Sequence, residues 1–97
     1  MMRVYVFTHI ASSDNTNLSR DYVLSLTCEK TEAVQALKKQ FYKTLEKSSL
    51  TDAEKEAETK KFSQNLLKGK FHYHFRDLHR EEQVQYFGKI HTRTVEP

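Results

Sequence analysis

The hydrophobic pattern of this chain changes its period twice, which limits the folds that 97 residues can adopt. Residues 3–10 and 21–28 have the composition of β-strands, residues 31–68 repeat apolar side chains at helical spacing, and residues 71–75 and 84–95 alternate as strands do. Since strands and helices each leave an apolar face to bury, the two kinds of element must share a core. The pattern predicts an α+β fold in which a small antiparallel sheet, formed in the order β-β-α-α-β-β, has both helices packed on one face.

Length and composition predict a single domain over residues 1–97. A chain of this size has room for one hydrophobic core, and its 6 phenylalanines and 5 tyrosines are too many for a disordered chain. The lone cysteine, Cys28, cannot form an internal disulfide and favours a reducing compartment. No apolar run approaches the roughly 20 residues that span a membrane. We therefore expect a cytoplasmic protein with no membrane partner.

Local signals predict where the helices begin and end. Thr31 is the expected N-cap of the first helix, with Glu32 in its first turn. Thr51 and Glu54 match a capping box, so a second helix is predicted over residues 52–68, with Gly69 as its C-terminal stop. The apolar stripe of this second helix is thin, and the sequence leaves open whether the two helices fold back on each other.

The net charge of +3 arises in the helical region. Residues 31–70 contain nine lysines, six acidic residues and no arginine, whereas the segments on either side are balanced. Lysines along a helix usually keep it solvated. The alternative is a phosphate-binding face that includes Lys38, Lys39, Lys60 and Lys61.

One face of the predicted sheet has an unusual set of side chains. If the helices cover the face that carries Val4, Val6, Leu24 and Leu26, the uncovered face presents aromatic, histidine and cationic groups with almost no acid. Its predicted partner-binding residues are Tyr5, Phe7, His72, His74, Phe87, Lys89, His91 and Arg93. The pattern also places Arg3, His9, Val23, Ser25, Thr27 and Gln85 on this face.

Three interpretations of the uncovered face compete. The first is contact with another protein, either as a homodimer that stacks sheet on sheet or as a flat platform, with Tyr5, Phe7, Phe87 and Arg93 as anchors. The second is nucleic-acid binding, in which the rings stack on bases while Lys89 and Arg93 hold phosphates. The third is that loops or chain ends cover part of the face and the histidines are merely solvated.

No catalytic motif is present, so we expect neither an enzyme nor a cofactor. With 2 glycines the chain has no phosphate-binding loop, and no pair of carboxylates is indicated. Ribonuclease-like general acid–base chemistry needs no motif and stays an alternative. Its candidate residues are His74, Arg76, His79, Arg80 and Tyr86.

A metal site is also not expected, although His72 and His74 point the same way from one strand. His9 or His91 on a neighbouring strand would be the third ligand. Zinc sites usually draw on cysteine or a carboxylate as well. Cys28 is predicted to face the core, where a thiol is inert, and the pattern places no acid among these histidines.

In general appearance the chain resembles the short proteins carried by phages and mobile elements. These are single domains that begin with a β-strand and have no catalytic motif. This resemblance implies a protein that works by occupying the surface of a partner. We therefore expect a small binding module that acts as an inhibitor or adaptor by protein–protein contact.

Overall fold

The computed structural model describes the backbone of residues 2–13, 19–79 and 83–95, and the side chains of residues 2–12, 26–79 and 83–95. Its elements follow the predicted order and confirm the α+β fold. They are β1 (Met2–Ser13), β2 (Ser19–Thr27), α1 (Lys30–Lys47), α2 (Asp52–Leu67), β3 (His72–Asp77) and β4 (Val84–Val95). The first two strands extend into the predicted loop 11–20, of which residues 14–18 lie outside the described residues.

The four strands form one antiparallel sheet in the order β2-β1-β4-β3. The central strands β1 and β4 pair along their whole length, from Met2 opposite Val95 to Ser13 opposite Val84. β2 borders β1 on one edge, and β3 borders β4 on the other. Because directly paired residues of antiparallel strands point to the same side of the sheet, this register decides which side chains meet the helices.

Thr27, which the sequence pattern did not predict to cap a helix, organises the turn into α1. The N-cap is Glu29, so the prediction of Thr31 is wrong. The backbone N–H of Glu29 donates to the Thr27 hydroxyl at 3.1 Å, and this hydroxyl donates to Glu32 at 2.7 Å. These bonds end β2 and start the helix within one short turn. Towards the sheet, α1 buries the stripe Ala33, Leu37, Phe41, Thr44 and Leu45.

The predicted ends of α2 are confirmed to within one residue. Thr51 and Glu54 form the capping box, each side chain bonding the backbone N–H of the other. After the helix, Gly69 has a φ of 76°. Its N–H bonds the Leu66 carbonyl at 3.1 Å, and the next N–H bonds the Asn65 carbonyl at 2.8 Å. This pair of bonds is a Schellman motif, in which glycine is favoured because an L side chain would be strained.

The two helices fold back on each other through aromatic rings. Phe62 is the one buried residue of α2, and its ring stacks on Phe41 of α1 with centroids 4.1 Å apart. The same ring meets Tyr73 of β3 edge-on at 5.9 Å. Phe62, together with the half-buried Leu66, thus packs α2 against the core. Neither described helix is long and apolar enough to cross a membrane.

A buried carboxylate joins the end of β3 to the turn between the helices. Asp77 is fully buried and accepts a hydrogen bond from the Ser49 N–H at 2.7 Å and another from the His79 N–H at 3.3 Å. The His79 ring in turn lies 2.6 Å from Glu54. The pKa of Glu54 is lowered, first because the Thr51 N–H donates to its carboxylate and then because of His79. The predicted connection 77–83 therefore begins with a core residue, while its residues 80–82 lie outside the described part.

His9, Gly88 and Tyr73 form a row across β1, β4 and β3 on the helix-covered side. Because Gly88 has no side chain, the Tyr73 ring lies directly over it, and a Cβ at position 88 would be 2.1 Å from the ring. Across this gap the Tyr73 hydroxyl reaches Nδ1 of His9 at 2.5 Å. Burial raises the pKa of Tyr73 well above its ordinary value. A histidine is thereby accommodated in the core with a hydrogen-bonding partner.

Candidate binding surface

The side of the sheet that faces away from the helices is the candidate binding surface, and we call it the open face. The register and burial of the described residues define it. Its members are Met2, Val4, Val6, Thr8, Ile10, Ser12, Leu26, His72, His74, Arg76, Gln85, Phe87, Lys89, His91, Arg93 and Val95.

The sequence-based assignment of β1 to the two sides of the sheet is wrong. Phe7 lies opposite Ile90 and His9 opposite Gly88, and these two side chains are only 1% and 2% exposed. Arg3 and Tyr5 share their side of the strand, because residues two apart point the same way. Tyr5 and Phe7 are therefore not anchors on the open face. The Phe7 ring belongs to the core cluster that α1 covers, where it occupies a volume that a valine would leave unfilled.

For the described side chains of β2, the predicted assignment to the two sides of the sheet is also wrong. Leu26, predicted to face the core, pairs with Val6 and is 69% exposed. Thr27, predicted for the uncovered face, pairs with Tyr5 on the helix side. The predictions for the side chains of Val23, Leu24 and Ser25 lie outside the described residues.

Six of the eight predicted binding residues do lie on the open face. They are His72, His74, Phe87, Lys89, His91 and Arg93. The imidazole of His74 stacks on the Phe87 ring, with centroids 4.4 Å apart and planes 8° apart. The same imidazole lies 3.3 Å from the Gln85 amide oxygen. The stack places an ordered, flat aromatic unit on the β3 side of the open face.

Sequence reasoning missed an aliphatic strip on this face. Its residues come from β1, the end of β2 and the end of β4: Met2, Val4, Val6, Ile10, Leu26 and Val95. Of these, Val4 is buried, with 9% exposure, and Val6 and Ile10 are half-buried. Met2 and Val95 are about half exposed, at 50% and 44%, and Phe87 is 39% exposed. The corrected face therefore carries more aliphatic and less aromatic surface than predicted. Alternation alone gives no signal for the strip, since both sides of β1 are apolar.

The charge on the open face has one sign. Arg76, Lys89 and Arg93 are exposed, and no acidic residue lies on the face within the described part of the chain. The cations come from β3 and β4, whereas most of the aliphatic strip belongs to β1 and β2. The face thus has an apolar half and a cationic half.

Among the described residues, the candidates for the alternative metal and ribonuclease sites lie in different parts of the fold. Tyr73 binds His9 in the core, and the described residues contain no group of three metal-ligating side chains. Of the ribonuclease candidates, His74 lies on the open face, Tyr86 is buried on the helix side, and His79 contacts Glu54. Arg80 lies outside the described residues.

The position of Cys28 also corrects a prediction. Cys28 is exposed rather than in the core, and its thiol lies 3.8 Å from the Met2 sulfur. It therefore extends the apolar half of the open face just beyond the end of β2.

No protein-family model, curated protein sequence or solved structure matches this chain. The chemistry of the open face is therefore the basis for a functional proposal.

Proposed function

We propose that this protein is a non-enzymatic binding module that acts by protein–protein contact through the open face, as an inhibitor or adaptor. One observation carries the proposal: the exposed aliphatic side chains of Met2, Leu26 and Val95, the exposed Phe87 ring and three cations all lie on the side of the sheet that faces away from the helices. Large exposed apolar side chains on one face are typical of protein interfaces. Aromatic residues and arginine are enriched there as well.

The corrected face favours protein contact over nucleic-acid binding. Stacking on bases requires flat exposed rings, and two of the three predicted rings, Tyr5 and Phe7, lie on the other side of the sheet. Aliphatic side chains such as Leu26 and Val95 instead match the apolar surface of another protein. The nucleic-acid alternative is supported by the His74–Phe87 stack beside Lys89 and Arg76.

Paired variants test the proposal in an affinity capture from cells that make the protein. Phe87→Ala combined with Leu26→Ala removes the most exposed aromatic and the most exposed aliphatic group of the open face. Leu78→Ala is the matched control, because Leu78 is 53% exposed and follows β3, outside the strand pairing that defines the face. A true partner should be captured by wild type and by the control, and should bind the double variant at least about tenfold more weakly. Equal capture by all three proteins would refute the assignment of the open face.

Binding of labelled oligonucleotides distinguishes the alternative. Fluorescence anisotropy at about 50 and 200 mM salt spans the range over which phosphate contacts become visible. We expect no saturable binding that depends on Phe87. Micromolar binding that weakens steeply with salt, and that Phe87→Ala and Lys89→Ala both abolish, would replace protein contact by nucleic-acid binding.

A further inference from the structure

The helical layer carries a second exposed apolar site, a groove of about 720 Å³ between the two helices. Val34 and Tyr42 of α1 line it on one side, Leu66 and Leu67 of α2 on the other, and Phe71 lies at its end. Val34, Leu66 and Phe71 are half-buried, whereas Leu67 is 88% exposed, more than any other large hydrophobic residue described. Half-buried apolar residues beside a projecting leucine form a concavity that an inserted side chain can fill.

The two helix segments that bound this groove are strongly basic. Residues 30–43 and 59–71 together contain eight lysines and a single acid, Glu32. The carboxylate of Glu32 accepts a hydrogen bond from Thr27 at 2.7 Å. Lys38 lines the groove, and the ammonium of Lys30 lies 4.7 Å from the centre of the Phe71 ring. Within the described part of the chain neither Lys30 nor Lys38 forms an ion pair, so the positive charge of both is available to a partner in the groove.

We infer that this groove binds an acidic amphipathic helix of a partner protein, independently of the open face. A helix that presents apolar side chains at i, i+3, i+4 and i+7 fits a groove between two helices. Its carboxylates would then lie beside Lys30 and Lys38, where opposite charges steer association. Three of the five apolar lining residues, Val34, Leu66 and Leu67, are aliphatic, which suits a leucine-rich helix better than nucleic-acid bases.

Three synthetic peptides of about 18 residues, roughly 27 Å long as helices, test the inference. Each has leucine at i, i+3, i+4 and i+7, and the remaining positions alternate alanine with glutamate, glutamine or lysine. Fluorescence anisotropy with the labelled peptides should show that the glutamate peptide binds tightest and that about 200 mM salt weakens it. We expect the glutamine peptide to bind at least roughly tenfold more weakly, and the lysine peptide not to bind.

Matched leucine variants locate the binding. Leu67→Gln in the groove should weaken the glutamate peptide about tenfold or more, whereas Leu26→Gln on the open face should leave it within about twofold. Lys38→Glu should reduce the preference for glutamate over glutamine. These residues are exposed, so the variants should keep the wild-type circular dichroism spectrum. Equal affinities for the glutamate and glutamine peptides, or a loss caused by Leu26→Gln instead, would overturn the inference.

Two further probes cover other anionic ligands. Vesicles of phosphatidylcholine with phosphatidylserine, and a single-stranded oligonucleotide, are titrated against wild type and Leu67→Gln. We expect neither probe to bind in a way that depends on Leu67. If either one binds more tightly than the glutamate peptide and loses affinity in Leu67→Gln, the groove is a membrane or nucleic-acid site and the inference fails. The proposal for the open face is unaffected in each case, because it depends on Leu26 and Phe87.

Discussion

Replacing Gly88 with alanine should unfold this protein at a much lower denaturant concentration, although alanine is normally the better strand residue. The added Cβ would lie 2.1 Å from Cε2 of Tyr73. The ring has little room to move, since Phe41, Phe62 and Phe75 surround it with centroids 5.3 to 6.2 Å away. Relief of the clash therefore requires the sheet to separate or the Tyr73 hydroxyl to leave His9.

The expected loss of stability is the sum of three contributions. Forcing an extra methyl into a packed core costs about 1–3 kcal/mol. Leaving the buried Tyr73 hydroxyl without its bond to His9 costs about 1–3 kcal/mol more. The entropic advantage of alanine over glycine returns roughly 0.5–1 kcal/mol. We expect Gly88→Ala to lower the free energy of unfolding by about 1–5.5 kcal/mol, compared with the roughly 5–15 kcal/mol that stabilises a typical domain.

Urea denaturation followed by circular dichroism measures this loss. A thermal melt should show Tm reduced by roughly 4–44 °C, since about 1 kcal/mol shifts Tm by about 4–8 °C at this size. The control is Gly88→Ala in a Tyr73→Leu background, where the ring is gone and the same substitution should cost less than about 0.5 kcal/mol. If Gly88→Ala stabilises the wild-type protein, or costs the same in both backgrounds, the close approach of Tyr73 is not what requires glycine.

Two other residues give stability predictions. Asp77→Ala should lower the free energy of unfolding by about 1–3 kcal/mol, because it leaves the Ser49 and His79 N–H groups without an acceptor. Asp77→Asn keeps an acceptor. Equal urea midpoints for the two variants would therefore contradict the role of Asp77 as a hydrogen-bond acceptor. The raised pKa of Tyr73 stabilises the fold fully below about pH 10, the ordinary tyrosine value, and this contribution is lost as pH rises towards the folded-state pKa. Urea midpoints measured from about pH 8 to 11 should therefore fall more steeply with pH for wild type than for Tyr73→Phe. An equal fall in the two proteins would count against a raised pKa of Tyr73.

Most of the architecture could be predicted from the sequence because its signals are local. The capping box of Thr51 and Glu54 and the glycine stop at Gly69 depend on bonds within a few residues of each other. The clean alternation around Tyr73 and Phe75 predicted the buried side of β3 for the same reason. Element order and type then followed.

The sides of β1 could not be predicted because they depend on a long-range register. Val4 and Val6 on one side and Tyr5 and Phe7 on the other are all apolar, so alternation does not distinguish them. The pairing of Phe7 with Ile90, more than eighty residues along the chain, decides which side the helices cover. One signal was available: a glycine inside a strand, Gly88, marks a close approach of another group.

This dependence on long-range register also explains why only part of the candidate site was predicted correctly. Residues of β3 and β4 were placed correctly on the open face, whereas Tyr5 and Phe7 were not, and the aliphatic strip was missed. The groove between the helices also depends on long-range packing. The sequence predicts that the helices are rich in lysine, but only the stacking of Phe62 on Phe41 determines which lysines border an apolar site.

Burying the inner side of the sheet more completely than the outer side separates most residues that keep this protein folded from those that meet its surroundings. The core uses Phe7, Tyr73 and Tyr86 on the inner side, while Leu26 and Phe87 on the outer side contribute little to it. Exposed substitutions typically change stability by no more than about 0.5 kcal/mol. Mutations on the outer side can therefore accumulate without loss of the fold, so selection can redirect what this scaffold recognises while the inner side stays constant.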